Sequence, residues 1–167
     1  MALPASILAS SENEMIAEDV TLELFRRRLP GVRFTSLIEQ DKPAPYVLIR
    51  RANFGNEWQA DERFLDSFYF SVETFTSGLE ADIEGPRIVA AMKNELTRAA
   101  LSHDPVLDGL GWVQEGRLVQ PPRRRADYAN SEGPVQYADL PQDYVRYMAT
   151  FYMQIKRADI GPNIHNV

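Results

Sequence analysis

The sequence predicts an α+β fold in which two helices pack on one face of a mainly antiparallel or mixed β-sheet. Segments with apolar residues at helical spacing occur twice, and segments that alternate apolar and polar residues occur between and after them. The resulting order is α-β-β-β-α-β-β, which is typical of this class. The 167 residues are expected to form a single domain over residues 1–157, followed by a short flexible tail over residues 158–167.

The first helix is predicted over Ser11–Leu29. Ser10 or Ser11 can cap it, and Glu14 has the spacing that completes a capping box with Ser11. Acidic residues come early in this segment and basic residues come late, which is the order that the helix dipole favours. The pair Pro30-Gly31 is expected to end the helix.

Three strands are predicted to follow, and apolar and polar residues alternate along the first and the third of them. They cover Val32–Glu39, Tyr46–Ala52 and Phe64–Phe75. A proline-containing turn at Lys42–Pro45 separates the first two strands, and a polar loop precedes the third.

The second helix is predicted from about Pro86 to Ser102, because proline disfavours the helical conformation at the preceding residue. His103 is expected to end this helix. The chain that follows is predicted to be mostly irregular, with a Gly-rich stretch over Asp108–Gly116, a short strand over Arg117–Gln120 and a proline-rich segment over Pro121–Pro141.

Tyr144–Lys156 shows the clearest alternation in the chain and is predicted to be a strand. Thirteen residues would extend for roughly 44 Å, whereas a compact domain of this size measures about 40 Å across. Two interpretations stay open: one end of the strand overhangs and pairs with something else, or the strand bends and remains inside the domain.

Composition and charge exclude several classes of protein. The chain has no Cys, which rules out disulfides and thiolate metal sites, and its net charge of −6 disfavours a protein whose main task is to coat nucleic acid. The apolar fraction of 44% excludes a wholly disordered chain. Neither a signal peptide nor a membrane-spanning segment is expected from the pattern.

The sequence lacks the common motifs for nucleotide binding, metal binding and nucleophilic catalysis, so no enzyme activity, cofactor or metal is expected. His103 and His165 are far apart, and Ser102-His103-Asp104 is contiguous, unlike a catalytic triad. A pair of carboxylates could hydrolyse a glycosidic bond. A solvated loop and a helix N-terminus account for the two acidic groups, which are Glu57, Asp61, Glu62 and Asp66, and then Glu80, Asp82 and Glu84.

Two groups of residues are candidates for interfaces. Arg123, Arg124 and Arg125 form the densest basic run, and they could contact a partner or subunit, lie in a solvated loop, or contact nucleic acid. Trp58 and Trp112 lie in loops, where tryptophan serves either as an interface anchor or as part of the core.

Several segments together resemble the tail terminator proteins of long-tailed bacteriophages, most closely those of actinobacterial siphophages. The resemblance covers about residues 12–157 and includes an N-terminal helix and a long Ala-rich second helix. It rests on Pro45–Arg51 (PYVLIRR), Asp66–Glu73 (DSFYFSVE), Pro121–Arg124 (PPRR), Tyr144–Arg146 (YVR) and Ala149–Arg157 (ATFYMQIKR). The stretch Ala126–Asp139 is longer than the family pattern.

This resemblance implies a small structural subunit of the virion. Six copies would form a ring on the head-proximal end of the tail tube, stop tube polymerisation and provide the surface to which the filled head docks. The implied partners are other copies, the tube protein and a head-completion or neck protein, with assembly in the host cytoplasm. Genomic DNA would pass through the bore without sequence-specific binding, and no membrane is involved.

We expect the tube-docking surface to include Trp58, Glu57 and Asp61, and the Pro121–Pro141 segment to clasp a neighbouring subunit. One alternative is a head–tail connector or neck subunit of the same virion. The other is a small hydrolase or ligand-binding domain, which would have a deep pocket where titratable groups converge.

Overall fold

Two helices and a six-stranded sheet make up the computed structural model, which describes residues 16–37, 43–52, 65–125 and 144–158. The predicted α+β class is confirmed. In chain order the elements are α1 (Ala17–Arg28), β1 (Arg33–Thr35), β2 (Tyr46–Arg51), β3 (Leu65–Ser77), α2 (Ala81–Ser102), β4 (Pro105–Val106), a 3-10 turn (Leu107–Gly109), β5 (Gly111–Arg124) and β6 (Tyr144–Arg157).

The sheet has the spatial order β1-β2-β3-β6-β5-β4, in which β1 and β2 are parallel and the other neighbours are antiparallel. Thirteen consecutive residue pairs join β3 to β6, from Leu65 opposite Lys156 to Ser77 opposite Tyr144. This long antiparallel ladder is the centre of the sheet.

Both helices pack on the same face of the sheet, as the sequence predicts. The main core combines apolar side chains of α1 and α2 with every second residue of β2, β3 and β6, because alternate residues of a strand point to the same face. Its fully buried members include Phe25, Leu96, Phe70, Phe151 and Ile49. A smaller cluster, to which neither helix contributes, lies on the other side of the sheet, hereafter the opposite face; it contains Tyr46, Leu48, Phe75 and Tyr144.

The predicted last strand is confirmed and extends to Arg157. It pairs with β3 along one side, from Tyr144 to Lys156, and with β5 along the other, from Tyr147 to Arg157. Of the two interpretations, the strand that remains inside the domain is therefore correct, and an overhanging end is wrong. The irregularities fall on the β5 side, where the register with β6 shifts three times.

Helix α1 ends where predicted but begins later. Ile16 has extended backbone, so the helix starts at Ala17 rather than at Ser11. The Glu18 carboxylate in the first turn accepts a hydrogen bond from the backbone N–H of Arg51 at 2.7 Å, which fixes this end of the helix to β2. The predicted caps Ser10, Ser11 and Glu14 lie outside the described residues.

The first strand is shorter than predicted. The Thr35 hydroxyl donates to the carbonyl of Leu37 at 2.9 Å and accepts from its N–H at 3.2 Å. This local turn satisfies backbone groups that a continuing strand would pair, and β1 therefore ends at Thr35. Residues 38–42 of the predicted strand and turn lie outside the described residues, as does Phe64, the predicted start of the third strand.

Helix α2 begins five residues before Pro86, so the predicted start is wrong. Pro86 has no N–H to donate to the carbonyl of Asp82, and the Tyr147 hydroxyl of β6 donates to that carbonyl instead, at 3.1 Å. The Tyr147 ring packs against Gly85, where an added Cβ would lie 2.6 Å from the ring. A contact between α2 and β6 thus stabilises a helix start that local propensity disfavours. At the other end, His103 caps the helix in the left-handed conformation.

Strand β5 is also longer than predicted, because it includes most of the Gly-rich stretch and continues through Pro121-Pro122. The two prolines fall within the break in register between Gln120 and Arg123. Beyond Trp112, β5 pairs only with β6 among the described residues, so this part is an edge strand. Bulges and prolines are tolerated at edges because they disrupt few ladder hydrogen bonds.

An ion-pair network joins the C-terminal ends of the two helices. The Arg28 guanidinium lies 2.6 Å from Asp104 and 2.9 Å from Glu95. Ser102 also donates to Asp104, at 2.8 Å. Burial alone would raise the pKa of Asp104, but the hydrogen bonds from Ser102 and Arg28 and the nearby positive charges together lower it.

We expect Asp104→Asn to destabilise the fold by about 1.5–3 kcal/mol near neutral pH, the usual contribution of hydrogen bonds to a charged group. A lowered pKa in the folded state means that ionised Asp104 stabilises the fold above its unfolded pKa, and that this stability disappears as the pH falls through the folded pKa. Urea unfolding at several pH values should therefore show a difference between variant and wild type that shrinks below about pH 4. A difference that does not change with pH would contradict this assignment.

Candidate interaction surface

The structure describes only one of the two groups of predicted interface residues. Glu57, Trp58 and Asp61 lie outside the described residues, as do Glu62 and His165. Arg123 and Arg124 are the last two residues of β5, and Arg125 follows them. Of the predicted Pro121–Pro141 segment, Pro121–Arg125 is described and residues 126–141 are not. The described arginines are therefore strand residues rather than part of an irregular loop.

The three arginines point to different sides of the sheet. Arg123 and Arg124 are opposite Met148 and Tyr147 of β6, and neighbouring residues of a strand point to opposite faces. Arg124 lies on the helix side, 3.1 Å from Asp82 of α2, and both side chains are about half exposed. Such an exposed ion pair contributes little to stability. Arg124 is thus part of the contact between β5 and the start of α2.

Arg123 and Arg125 lie on the opposite face. The Arg125 guanidinium donates to the Met148 sulfur at 3.1 Å, and its backbone N–H donates to the carbonyl of Arg146 at 2.9 Å. The Arg123 side chain is exposed and makes no hydrogen bond or ion pair with any residue in the described part of the chain. Its charge is available to a partner.

The same face carries a second basic group that the sequence alone did not indicate. Arg117 of β5 is 55% exposed and lies over the Tyr152 ring at 4.6 Å, and the Tyr152 ring in turn contacts Tyr69 with centroids 5.3 Å apart. Arg117 also forms an exposed ion pair with Glu115. The cation–π contact holds the Arg117 guanidinium close to the sheet, while about half of the side chain stays exposed.

A half-buried aromatic ring and a more buried ion pair complete this face. Trp112 lies under the amino group of Lys156, which is 5.4 Å from the ring centre, so this tryptophan packs on the sheet rather than in the main core. Arg146 and Glu73 form an ion pair at 3.6 Å, with 9% and 16% of their side chains exposed. The positive charge of Arg146 is therefore largely neutralised, whereas those of Arg117, Arg123 and Arg125 face solvent.

Acidic residues do not converge on a catalytic arrangement in the described residues. Asp82 and Glu84 lie in the first turn of α2, as predicted for a helix N-terminus. Asp66 pairs with Arg157 at 3.3 Å, and Asp104 belongs to the network between the helices. Within the described ranges, no group of three or more His, Asp or Glu residues could hold a metal ion.

Positive charge is concentrated in the part of the chain that the structure describes. This part contains sixteen of the 18 Lys and Arg residues but only twelve of the 24 Asp and Glu residues, so its net charge is +4. The remaining residues carry a net charge of −10.

A scan against protein-family models and a search of curated proteins both find no match to this chain. Neither of the two helices is both long enough and apolar enough to cross a membrane, over the residues that the structure describes.

Proposed function

We propose that this protein is a structural subunit of a bacteriophage virion that forms an oligomeric ring, expected to be a hexamer, on the head-proximal end of the tail tube. The ring ends tube polymerisation and provides the surface to which the head docks. Its partners are other copies of the chain, the tube protein and a head-completion or neck protein. DNA passes through the bore without being read.

One observation carries the proposal: the opposite face of the sheet has exposed arginines at its β5 edge, and one of them has no partner in the described residues. Arginine is favoured at interfaces because its planar guanidinium pairs with carboxylates through two hydrogen bonds. A subunit that works through contacts alone needs such a surface. The segments on which the resemblance to tail terminators rests include the last four residues of β5 and most of β6.

The fold is compatible with this proposal. The helices pack on one side of the sheet. On the other side Tyr46, Leu48 and Phe75 are buried, whereas the arginines at the β5 edge are exposed and can contact a partner. A ring requires a heterologous contact, in which two different surfaces of the same subunit meet. The exposed arginines of β5 and the four carboxylates of residues 126–143 have opposite charges, which provides a basis for such a contact.

The test is an assembly reaction that combines the purified chain with its tube protein. We expect tubes formed with the chain to have a uniform, limited length, with label on the chain found at one tube end by electron microscopy. A null mutant of the phage should produce overlong tails without heads. Tubes that grow to the same lengths with and without the chain would overturn the proposal. Binding to the portal side of the head and not to the tube would instead indicate a neck connector.

A further inference from the structure

We propose that the basic strip, defined as Arg117, Gln120, Arg123 and Arg125, binds the acidic segment Ala126–Asp143 of a neighbouring copy. The proposal deepens the proposed function, on which it rests, by naming the two surfaces that meet between subunits. It replaces the predicted clasp over Pro121–Pro141, because residues 121–124 belong to β5 and contribute to the strip instead.

The strip is exposed on the opposite face of the sheet. All four of its side chains are exposed, and three of them carry a positive charge. They follow one strand over nine residues, a length of roughly 26 Å. Arg123 has no partner in the described part of the chain, and the only contact given for the Arg125 side chain is the Met148 sulfur. The strip therefore presents at least two guanidinium groups that no described carboxylate neutralises.

The segment has the complementary charge. It contains Asp127, Glu132, Asp139 and Asp143 and no Lys or Arg, so its 18 residues carry a charge of −4. Fully extended, such a segment measures about 60 Å. The described residues on either side of it belong to adjacent strands, so 18 residues span at most about 30 Å out from those strands and the same distance back. That distance is enough to reach a subunit packed alongside.

The geometry of β5 indicates that side chains, rather than the backbone, make this contact. Pro121 and Pro122 lack N–H groups, and the register of β5 with β6 is broken on both sides of Gln120. Such features prevent an edge strand from pairing with an added strand. Recognition by arginine side chains is electrostatic, and the contact should weaken as the salt concentration rises.

The experiment uses two charge-reversed forms of the full chain. The strip variant carries Arg117→Glu, Arg123→Glu and Arg125→Glu, and the segment variant carries lysine at its four acidic positions. A matched control carries Arg33→Glu, Arg87→Glu and Lys93→Glu, three exposed residues away from the strip with the same change in charge. Association is measured by sedimentation equilibrium and by counting rings on tube ends, and circular dichroism confirms that each variant is folded.

We expect each variant alone to associate at least about tenfold more weakly than wild type, and the control to associate like wild type. An equimolar mixture of the two variants should recover association, because each then offers the other a surface of opposite charge. Association of wild type should fall between about 0.05 and 0.5 M salt.

Three outcomes overturn the inference. The first is association of either variant as tight as that of wild type, and the second is a control weakened as much as the strip variant. The third is an equimolar mixture that associates no better than the separate variants, because the segment of one copy then does not bind the strip of another. If wild-type rings cap tubes in any of these cases, the proposed function stands and only the inference fails. If wild type does not limit tube length, the proposed function fails, and sedimentation alone decides the inference.

Discussion

Replacing Phe70 by alanine is expected to lower the free energy of unfolding by about 3–5 kcal/mol. Phe70 lies in the middle of β3 and is fully buried. Its ring stacks on Phe151 of β6 with centroids 5.3 Å apart and contacts Phe25 of α1 at 6.1 Å. The substitution removes apolar contacts with both the sheet and a helix and leaves a cavity. Because domains are stable by only 5–15 kcal/mol, the loss should be obvious in urea unfolding followed by circular dichroism.

The matched control for this prediction is Leu101→Ala. Leu101 lies near the end of α2 with 78% of its surface exposed, so its truncation should change stability by no more than about 0.5 kcal/mol. Equal effects of the two substitutions would mean that Phe70 is not at the junction of helix and sheet.

Gly116→Ala is expected to destabilise the fold by about 1–3 kcal/mol through overpacking. Gly116 lies in β5 directly beneath α2, and an added Cβ would overlap Cγ and both Cδ carbons of the buried Leu96. Leu96 cannot move aside easily, because it is fully buried in the main core. Thermal and urea unfolding of the purified variant measure the loss.

A double-variant cycle identifies the cause. Leu96→Ala makes room for the new methyl group, so the double variant should lose clearly less stability than the sum of the two single variants. Gly31→Ala is the control, because an added Cβ at Gly31 meets nothing within 4 Å and should have little effect. Additive losses would show that Gly116 is needed for some reason other than its closeness to Leu96.

The sequence was sufficient to predict the elements whose pattern is local. Strands β3 and β6 follow the alternation of apolar residues closely, β2 follows a run of four apolar residues, and the end of α1 follows from Pro30-Gly31. The start of α2 could not be predicted, because Tyr147, some sixty residues later, supplies the hydrogen bond that Pro86 removes. The full extent of β5 depends on its position at an edge, which only the three-dimensional order of strands reveals.

The candidate surface was only partly predictable. The run Arg123–Arg125 is visible in the sequence, but its division between two faces depends on assigning it to a strand. Arg117 was missed as part of the surface for the same reason, although it lies six residues before Arg123 on the same strand. The side of the sheet on which each arginine lies becomes visible only when the pairing of β5 with β6 is known.

The central position of β6 has a consequence for biosynthesis. Every other described strand leaves the ribosome before β6, and within the sheet β6 is the strand that lies between β3 and β5. A nascent chain that ends before residue 144 therefore lacks the strand that joins β1-β2-β3 to β5-β4 in one sheet. Pairing of β3 with β6 requires contacts between residues about eighty positions apart in the sequence. Such non-local contacts form slowly compared with a local helix. The sheet can therefore be completed only after β6 has been translated.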